Sequence, residues 1–258
     1  MQVRGPFRTS AQGLRGRTLV VTRPVGSAAA LARRIRRCGG VPLLLPGLAL
    51  RRVADQDTAC SGLLAALSDE LLIFSSPAAV RFAAALTPLR TLATVLAVGQ
   101  GTAQALRRSG VAAVWTPSRQ DSEGLLTHPL LQSPGGHRIS VIGAPGGRGL
   151  LRAQLEQHGA QVREVHVYRR EPPRLDRRHV EKVIALPASA VLLLSSREAL
   201  QNLLQLLPAA ALQRLRSSTV VVSSERLAVA VAEAGFSRRL LATSALSADL
   251  LDAAMRVK

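Results

Sequence analysis

A chain of 258 residues, 47% of them hydrophobic, is too apolar to be disordered and long enough for one large core or two of about 120 residues each. Aromatics make up only 2%, so those cores must be built from Leu, Val and Ala. The formal charge of +18 suits a polyanionic partner such as nucleic acid, a membrane surface or a multiply acidic small molecule, although scattered arginines also mark ordinary solvated helix faces.

Lys182 and Lys258 are the only lysines, so nearly all of the basic charge is arginine. In Arg33–Arg37 the apolar positions Leu31, Ile35 and Cys38 share one helical face, which leaves the arginines outward. Cys38 and Cys60 have no metal-ligand spacing, and Cys38 reads as a small core residue. A reduced, cytoplasmic setting follows. No apolar run reaches the length of a membrane span, and residues 1–16, without the apolar centre of a signal peptide, read as a flexible tail.

Taken in order, residues 18–22 predict a strand and 27–38 a helix with Ser27 as N-cap, ended by Gly39-Gly40. Residues 41–45 predict a parallel partner strand. After an extended connector at 48–53 and a helix near 57–67 comes Leu71–Phe82. There an apolar run stops at Ser75-Ser76-Pro77 and an Ala-rich helical segment begins. Ser76 suits an N-cap and Pro77 the first helical position. Such a junction aims backbone N–H groups and the positive end of a helix dipole at one spot, a seat for a carboxylate or phosphate.

Next come a strand over 94–99, a helix over 102–109, a strand over 111–115 and a helix starting at Ser122. Residues 139–143, 150–157 and 160–168 repeat strand, helix, strand, and 169–173 break the pattern as a linker would. A helix near 175–185 leads into Ala190–Leu200, which repeats the double serine at Ser195-Ser196; Thr219–Leu227 then parallels 94–106. The chain thus holds two copies of each of two half-units, in alternation, and two similar α/β domains follow. The spacing leaves open how the halves pair.

The stretches Val20–Pro24, Gly40–Pro46, Phe74–Val80, Val98–Leu106, Ser122–Leu125, Gly143–Arg148, Val165–Arg169 and Leu194–Leu200 together resemble the uroporphyrinogen-III synthase family, in order over nearly the whole chain. The resemblance implies an α/β fold of two flavodoxin-like parallel-sheet domains, joined by a two-stranded linker, with the active site in the interdomain cleft. One domain would comprise 17–48 plus 172–258, the other the inserted segment 49–171. The family cyclises linear hydroxymethylbilane to uroporphyrinogen III, inverting the terminal ring and losing water, without metal or organic cofactor. Its partner is the polycarboxylate tetrapyrrole substrate, with no nucleic acid and no membrane. A monomer is expected, with room for a transient contact with the enzyme of the preceding step.

Eight substrate carboxylates need seats. At strand ends and helix starts, Thr22, Ser75, Ser76, Gly101, Thr102, Gly147, Ser195, Ser196 and Ser224 supply hydroxyls or open N–H groups, with Arg23 and Arg148 as cationic helpers. Each hydroxyl also has a plain role as a helix cap. The family pattern breaks at Ser223–Arg226, where Ser224 stands in for a threonine contact. Tyr168, the only tyrosine, matches the family's Tyr near the linker and is the candidate donor to the departing hydroxyl. Strand alternation puts Glu164, His166 and Tyr168 on one face, with His166 as a second donor.

Two rival readings remain at this point. One is a non-catalytic module binding an anionic ligand on the same fold. The other is a basic nucleic-acid-binding protein, against which stand the absence of a reading motif and of aromatics interleaved with arginine. The Gly99-Gln100-Gly101 turn lacks the third glycine and the acidic residue of a dinucleotide site.

Overall fold

The structure, a computed structural model, describes residues 13–146 and 149–257. Among them are eleven strands: β1 (Thr18–Val21), β2 (Val41–Leu44), β3 (Ala49–Arg52), β4 (Leu71–Phe74), β5 (Thr94–Ala97), β6 (Arg138–Gly143), β7 (Gln161–His166), β8 (Tyr168–Glu171), β9 (Val191–Leu194), β10 (Thr219–Val222) and β11 (Arg239–Leu241). The chain divides into two compact units, the first of Met1–Ala49 with Glu171–Lys258 and the second of Leu50–Arg170. Strands β3 and β8, where the chain passes between units, form a two-stranded sheet of their own.

The first unit carries a five-stranded parallel sheet in the order β11-β10-β9-β1-β2. Counted along the chain this is the flavodoxin-like order 2-1-3-4-5. The second carries a four-stranded parallel sheet, β5-β4-β6-β7, with a parallel bridge from Leu96 to Trp115 beyond β5. Aligning Ser195 on Ser75 makes β9 the copy of β4, β10 of β5, β1 of β6 and β2 of β7. The copies then lie in the same order across both sheets, although the chain enters one at β1 and the other at β4. The pairing of halves is therefore settled by β1 against β9 and β4 against β6.

Each sheet is covered on both faces, as parallel sheets must be. Along β4, Leu72 and Phe74 enter one core with Val95 and Ala97, while Leu71 and Ile73 enter the opposite core with Leu96. Along β9, Leu192 and Leu194 face one way and Val191 and Leu193 the other. All four residues of β4 are buried. Burial of each such side chain stabilises by about 2 kcal/mol, so the loop after β4 is held by a rigid root.

Several expectations need correction. The helix predicted from Ser27 spans Val25–Arg37 with Pro24 as N-cap, and Ser27 Oγ donates back to the Pro24 carbonyl (3.0 Å). Residues 111–115 form no strand beyond the single bridge at Trp115. The tail expected over 1–16 is anchored at its end. Leu14 is fully buried against Leu19 and Ile35, and its N–H bonds the Cys38 carbonyl (3.1 Å); residues 1–12 lie outside the described residues. The helices Ala209–Arg216 and Ser247–Met255 and the short strand β11 were not foreseen. Among the described residues no helix is long and apolar enough to cross a membrane.

Candidate functional site

In the second unit β4 ends at Phe74 and the helix Pro77–Ala84 begins, with Ser76 in extended conformation as its N-cap. Ser76 Oγ accepts from the Ala79 N–H at 3.0 Å, satisfying one of the helix's orphan donors. The same oxygen lies 3.2 Å from the Tyr168 hydroxyl. Tyr168 is 7% exposed, and its ring stacks on Phe82 of that helix, centroids 5.3 Å apart and planes 15° apart. One short helix therefore supplies both the cap that meets the tyrosine hydroxyl and the ring that holds the tyrosine plane.

Tyr168 reaches this place because the strand expected over 160–168 is broken. β7 ends at His166, and β8 starts at Tyr168. Across the break Val165, Val167 and Tyr168 all enter the same core, so strict alternation fails. Glu164 and His166 face elsewhere, beside Ser75, Gly143 and Arg152. Glu164 is bound there by Arg152 at 3.0 Å, and His166 lines that same space while Tyr168 enters the core on the other side.

Ser75 plays a different part from Ser76. Its hydroxyl donates to the Ile142 carbonyl at 3.1 Å, so its proton is committed to β6. This approach requires Gly143, where a Cβ would lie 2.5 Å from Ser75 Oγ. The neighbouring junction follows β5. Its helix runs Gln100–Arg108 with Gly99 as N-cap, two residues earlier than the pattern predicted, because the Gln120 side-chain oxygen accepts from the Gln100 N–H (3.0 Å). A Cβ on Gly99 would sit 2.5 Å from that oxygen. Thr102 is 2% exposed, and its N–H bonds the Gly99 carbonyl. Gly101 is exposed, and a Cβ there would touch Pro77 at 3.6 Å, so the two junctions adjoin. Neither helix carries an acid in its first turn. Gly147 and Arg148, the remaining candidates of this unit, lie outside the described residues.

In the first unit Ser196 caps the helix Arg197–Leu206 through the Ala199 N–H (3.2 Å), and Ser224 caps Glu225–Glu233 through the Leu227 N–H (3.3 Å). Ser195 makes no side-chain hydrogen bond with the described residues. Thr22 is buried and donates to the Leu193 carbonyl at 2.8 Å, which makes it a brace between β1 and β9. Arg23 follows, half-buried, donating to the Ala245 carbonyl (2.6 Å) and to Ser247 Oγ (3.1 Å). No carboxylate of the described residues pairs with it, and burial holds its guanidinium below the usual arginine value. An unneutralised, partly desolvated cation is a receiver for an anion. Both helix starts here carry acids, Glu198 and Glu225.

The pattern missed Phe82, Gln120 and Asn202. Asn202 is buried and donates to the Gly47 carbonyl at 2.9 Å. A polar residue on the apolar face of a predicted helix was the available signal for it. Among the described residues no group of three or more His, Cys, Asp or Glu is placed to hold a metal ion.

Comparison with known proteins gives concordant results. Residues 29–252 match the family model described as "Uroporphyrinogen-III synthase HemD". The uroporphyrinogen-III synthase of Escherichia coli K12 is 32% identical over 252 residues, covering 92% of this chain and 99% of that protein. The Salmonella typhimurium LT2 enzyme is 31% identical over 250 residues, with the same coverage of 92% and 99%. Among solved structures, the Helicobacter pylori 26695 uroporphyrinogen-III synthetase matches with a TM-score of 0.61 at 14% identity, over 95% of this chain and 100% of that one. A mutant uroporphyrinogen III synthase from Thermus thermophilus matches with 0.58 at 19% identity, over 92% and 96%. At such identities the two structures speak for the fold. With the family model spanning most of its length and two relatives above 30% identity, the chain belongs to the uroporphyrinogen-III synthase family.

Proposed function

We propose that the protein cyclises linear hydroxymethylbilane to uroporphyrinogen III, with inversion of ring D and loss of water, as a hydro-lyase of tetrapyrrole (haem, sirohaem, cobalamin) biosynthesis. It works as a monomer in the cytoplasm. The observation that carries this reading is the Tyr168 hydroxyl, anchored by Phe82 and Ser76 beside two adjoining helix starts that bear no acid.

Tyr168 donates its proton to the substrate's hydroxymethyl oxygen. The C–O bond breaks with its electron pair on oxygen, water leaves, and a pyrrole nitrogen supplies electrons to the methylene carbon. Ring closure and rearrangement follow, and the proton lost from the pyrrole carbon at rearomatisation returns to the tyrosinate, so the step balances. General acid help of this kind is worth about 10²-fold or more in rate.

Binding falls to other residues. The backbone around Ser76, Ala78 and Gly101 offers neutral N–H seats for carboxylates in the second unit. In the first, Ser195 and Arg23 bind substrate carboxylates, assisted by Ser196 and Ser224 backbone groups. Thr22, Ser75 and Thr102 keep structural tasks next to these seats. Spontaneous closure gives the non-inverted isomer, so the test is a coupled assay in which freshly made hydroxymethylbilane is supplied and the oxidised products are resolved. Isomer III should rise with enzyme concentration; isomer I alone at every concentration would sink the assignment.

A further inference from the structure

We propose that Ser76 is a positioning residue for the reaction: its hydroxyl donates to the Tyr168 oxygen and turns the Tyr168 O–H outward, toward the departing hydroxyl. This rests on the reading of Tyr168 as proton donor.

The pair at 3.2 Å permits either direction of donation, so the surroundings decide. Ser76 Oγ already accepts from the Ala79 N–H, at the start of the helix Pro77–Ala84. An oxygen that accepts there, at the positive end of a helix dipole, becomes a poorer acceptor and a better donor. Its single proton has one partner within reach among the described residues, the Tyr168 oxygen. The Phe82 stack prevents the ring from turning away. The resulting chain runs from Ala79 N–H to Ser76, to Tyr168, to the substrate oxygen, every donor pointing the same way. As the proton leaves Tyr168, negative charge develops on an oxygen that already holds a hydrogen bond from Ser76. The interaction therefore strengthens in the transition state, which is where it raises kcat.

No other capping serine has this arrangement. Ser196 makes the same cap in the first unit, and that unit contains no tyrosine. Capping alone explains the Ala79 contact and leaves the tyrosine contact unexplained.

The test uses three variants. Ser76→Gly removes the hydroxyl while keeping most of the cap, Ser76→Thr keeps both, and Asp55→Ala deletes a cap elsewhere in the same unit, where Asp55 accepts from the Thr58 N–H at 2.9 Å. Because the chain has one tyrosine, tyrosine labelled with ¹³C at Cζ gives a single NMR signal that reports the hydrogen bonds of Tyr168. Ser76→Gly should move that signal and lower kcat about tenfold with KM within about twofold, as expected for one lost hydrogen bond. Ser76→Thr should restore both, and Asp55→Ala should change neither. An unmoved signal in Ser76→Gly overturns the proposal, as does a moved signal with unchanged kcat. A rise in KM at constant kcat would make Ser76 a carboxylate contact instead. Full activity in Tyr168→Phe sinks the underlying reading, whereas a defective Tyr168→Phe with fully active Ser76→Gly sinks this inference alone.

Discussion

The double serine occurs twice in equivalent positions, after β4 and after β9, and the two copies have diverged into different devices. After β4, Ser75 gives its proton to β6, Ser76 meets Tyr168, and Phe82 stacks on that tyrosine. After β9, Ser195 is left without a side-chain bond to the described residues. Asn202 stands where Phe82 stands and instead holds the Gly47 carbonyl. Register carries the contrast further. The β1–β9 ladder ends at Val21–Leu193, two residues short of Arg23 and Ser195, whereas Ser75 follows the Phe74–Ile142 pair and lies against Gly143. The helix starts differ in charge too, acid-free in the second unit and bearing Glu198 and Glu225 in the first. One strand–helix root thus carries a buried tyrosine hydroxyl in one unit, and a cation with a spare hydroxyl in the other. The root fixes where atoms can be placed; a handful of side chains decides what is done there.

The largest expected effect comes from removing what only the second unit has. Tyr168→Phe keeps the Phe82 stack and should lower kcat about 10²-fold with little change in KM, read by initial rates of isomer III formation. Full retention of rate would erase the distinction between the copies. The next effect belongs to the first unit. Gly47 passes so close to Ala199 that a Cβ would lie 2.6 Å from the Ala199 Cβ, so Gly47→Ala should cost about 2 kcal/mol by urea unfolding. An unchanged midpoint would mean that the turn yields freely and does not fix the junction after β9.

Arg23→Gln should raise KM about tenfold at nearly constant kcat, the loss expected when a charged hydrogen bond to a carboxylate becomes a neutral one. A fall in kcat with constant KM would place Arg23 with the chemistry. The smallest effect is on pH dependence. At the entrance to β4, Glu70 accepts from His137 at 2.7 Å, and this bond, with help from the Arg138 N–H, holds its carboxyl below the usual glutamate value. Its counterpart before β9 is Ala190. A depressed carboxyl stabilises the fold above its ordinary value of 4.5 and ceases to do so as pH falls through the lowered one. The stability difference between the native chain and Glu70→Gln should therefore be present near neutral pH and vanish at strongly acidic pH. A difference that persists in acid would contradict the assignment.

The parts of this arrangement written locally could be read from sequence. An apolar run ending in Ser-Ser-Pro is one, because capping and proline chemistry act within a single turn. The short buried strands at β4 and β9, read from their apolar runs, are another. The family motifs then carried the pairing of halves that spacing had left open. What could not be read depends on contacts distant in sequence. Ser76 and Tyr168 are 92 residues apart, and their meeting needs the break at Val167, which no composition signal marks. Alternation misplaced Tyr168 beside His166 for that reason. The hydroxyls expected at substrate seats also bond within their sheets, Thr22 to Leu193 and Ser75 to Ile142, contacts that no local pattern marks. Gln120 shifted the start of its helix by offering an oxygen from a loop 20 residues away. β11 was missed since Arg239-Leu240-Leu241 is three residues at an edge, too short for a period to show.

The division of labour between the two copies is tested most directly by single-turnover rates at saturating enzyme, where a binding defect disappears and a chemical one does not. Arg23→Gln should then match the native rate of isomer III formation, while Tyr168→Phe stays about 10²-fold slower. Equal deficits in both variants, or a native rate for Tyr168→Phe, would contradict it.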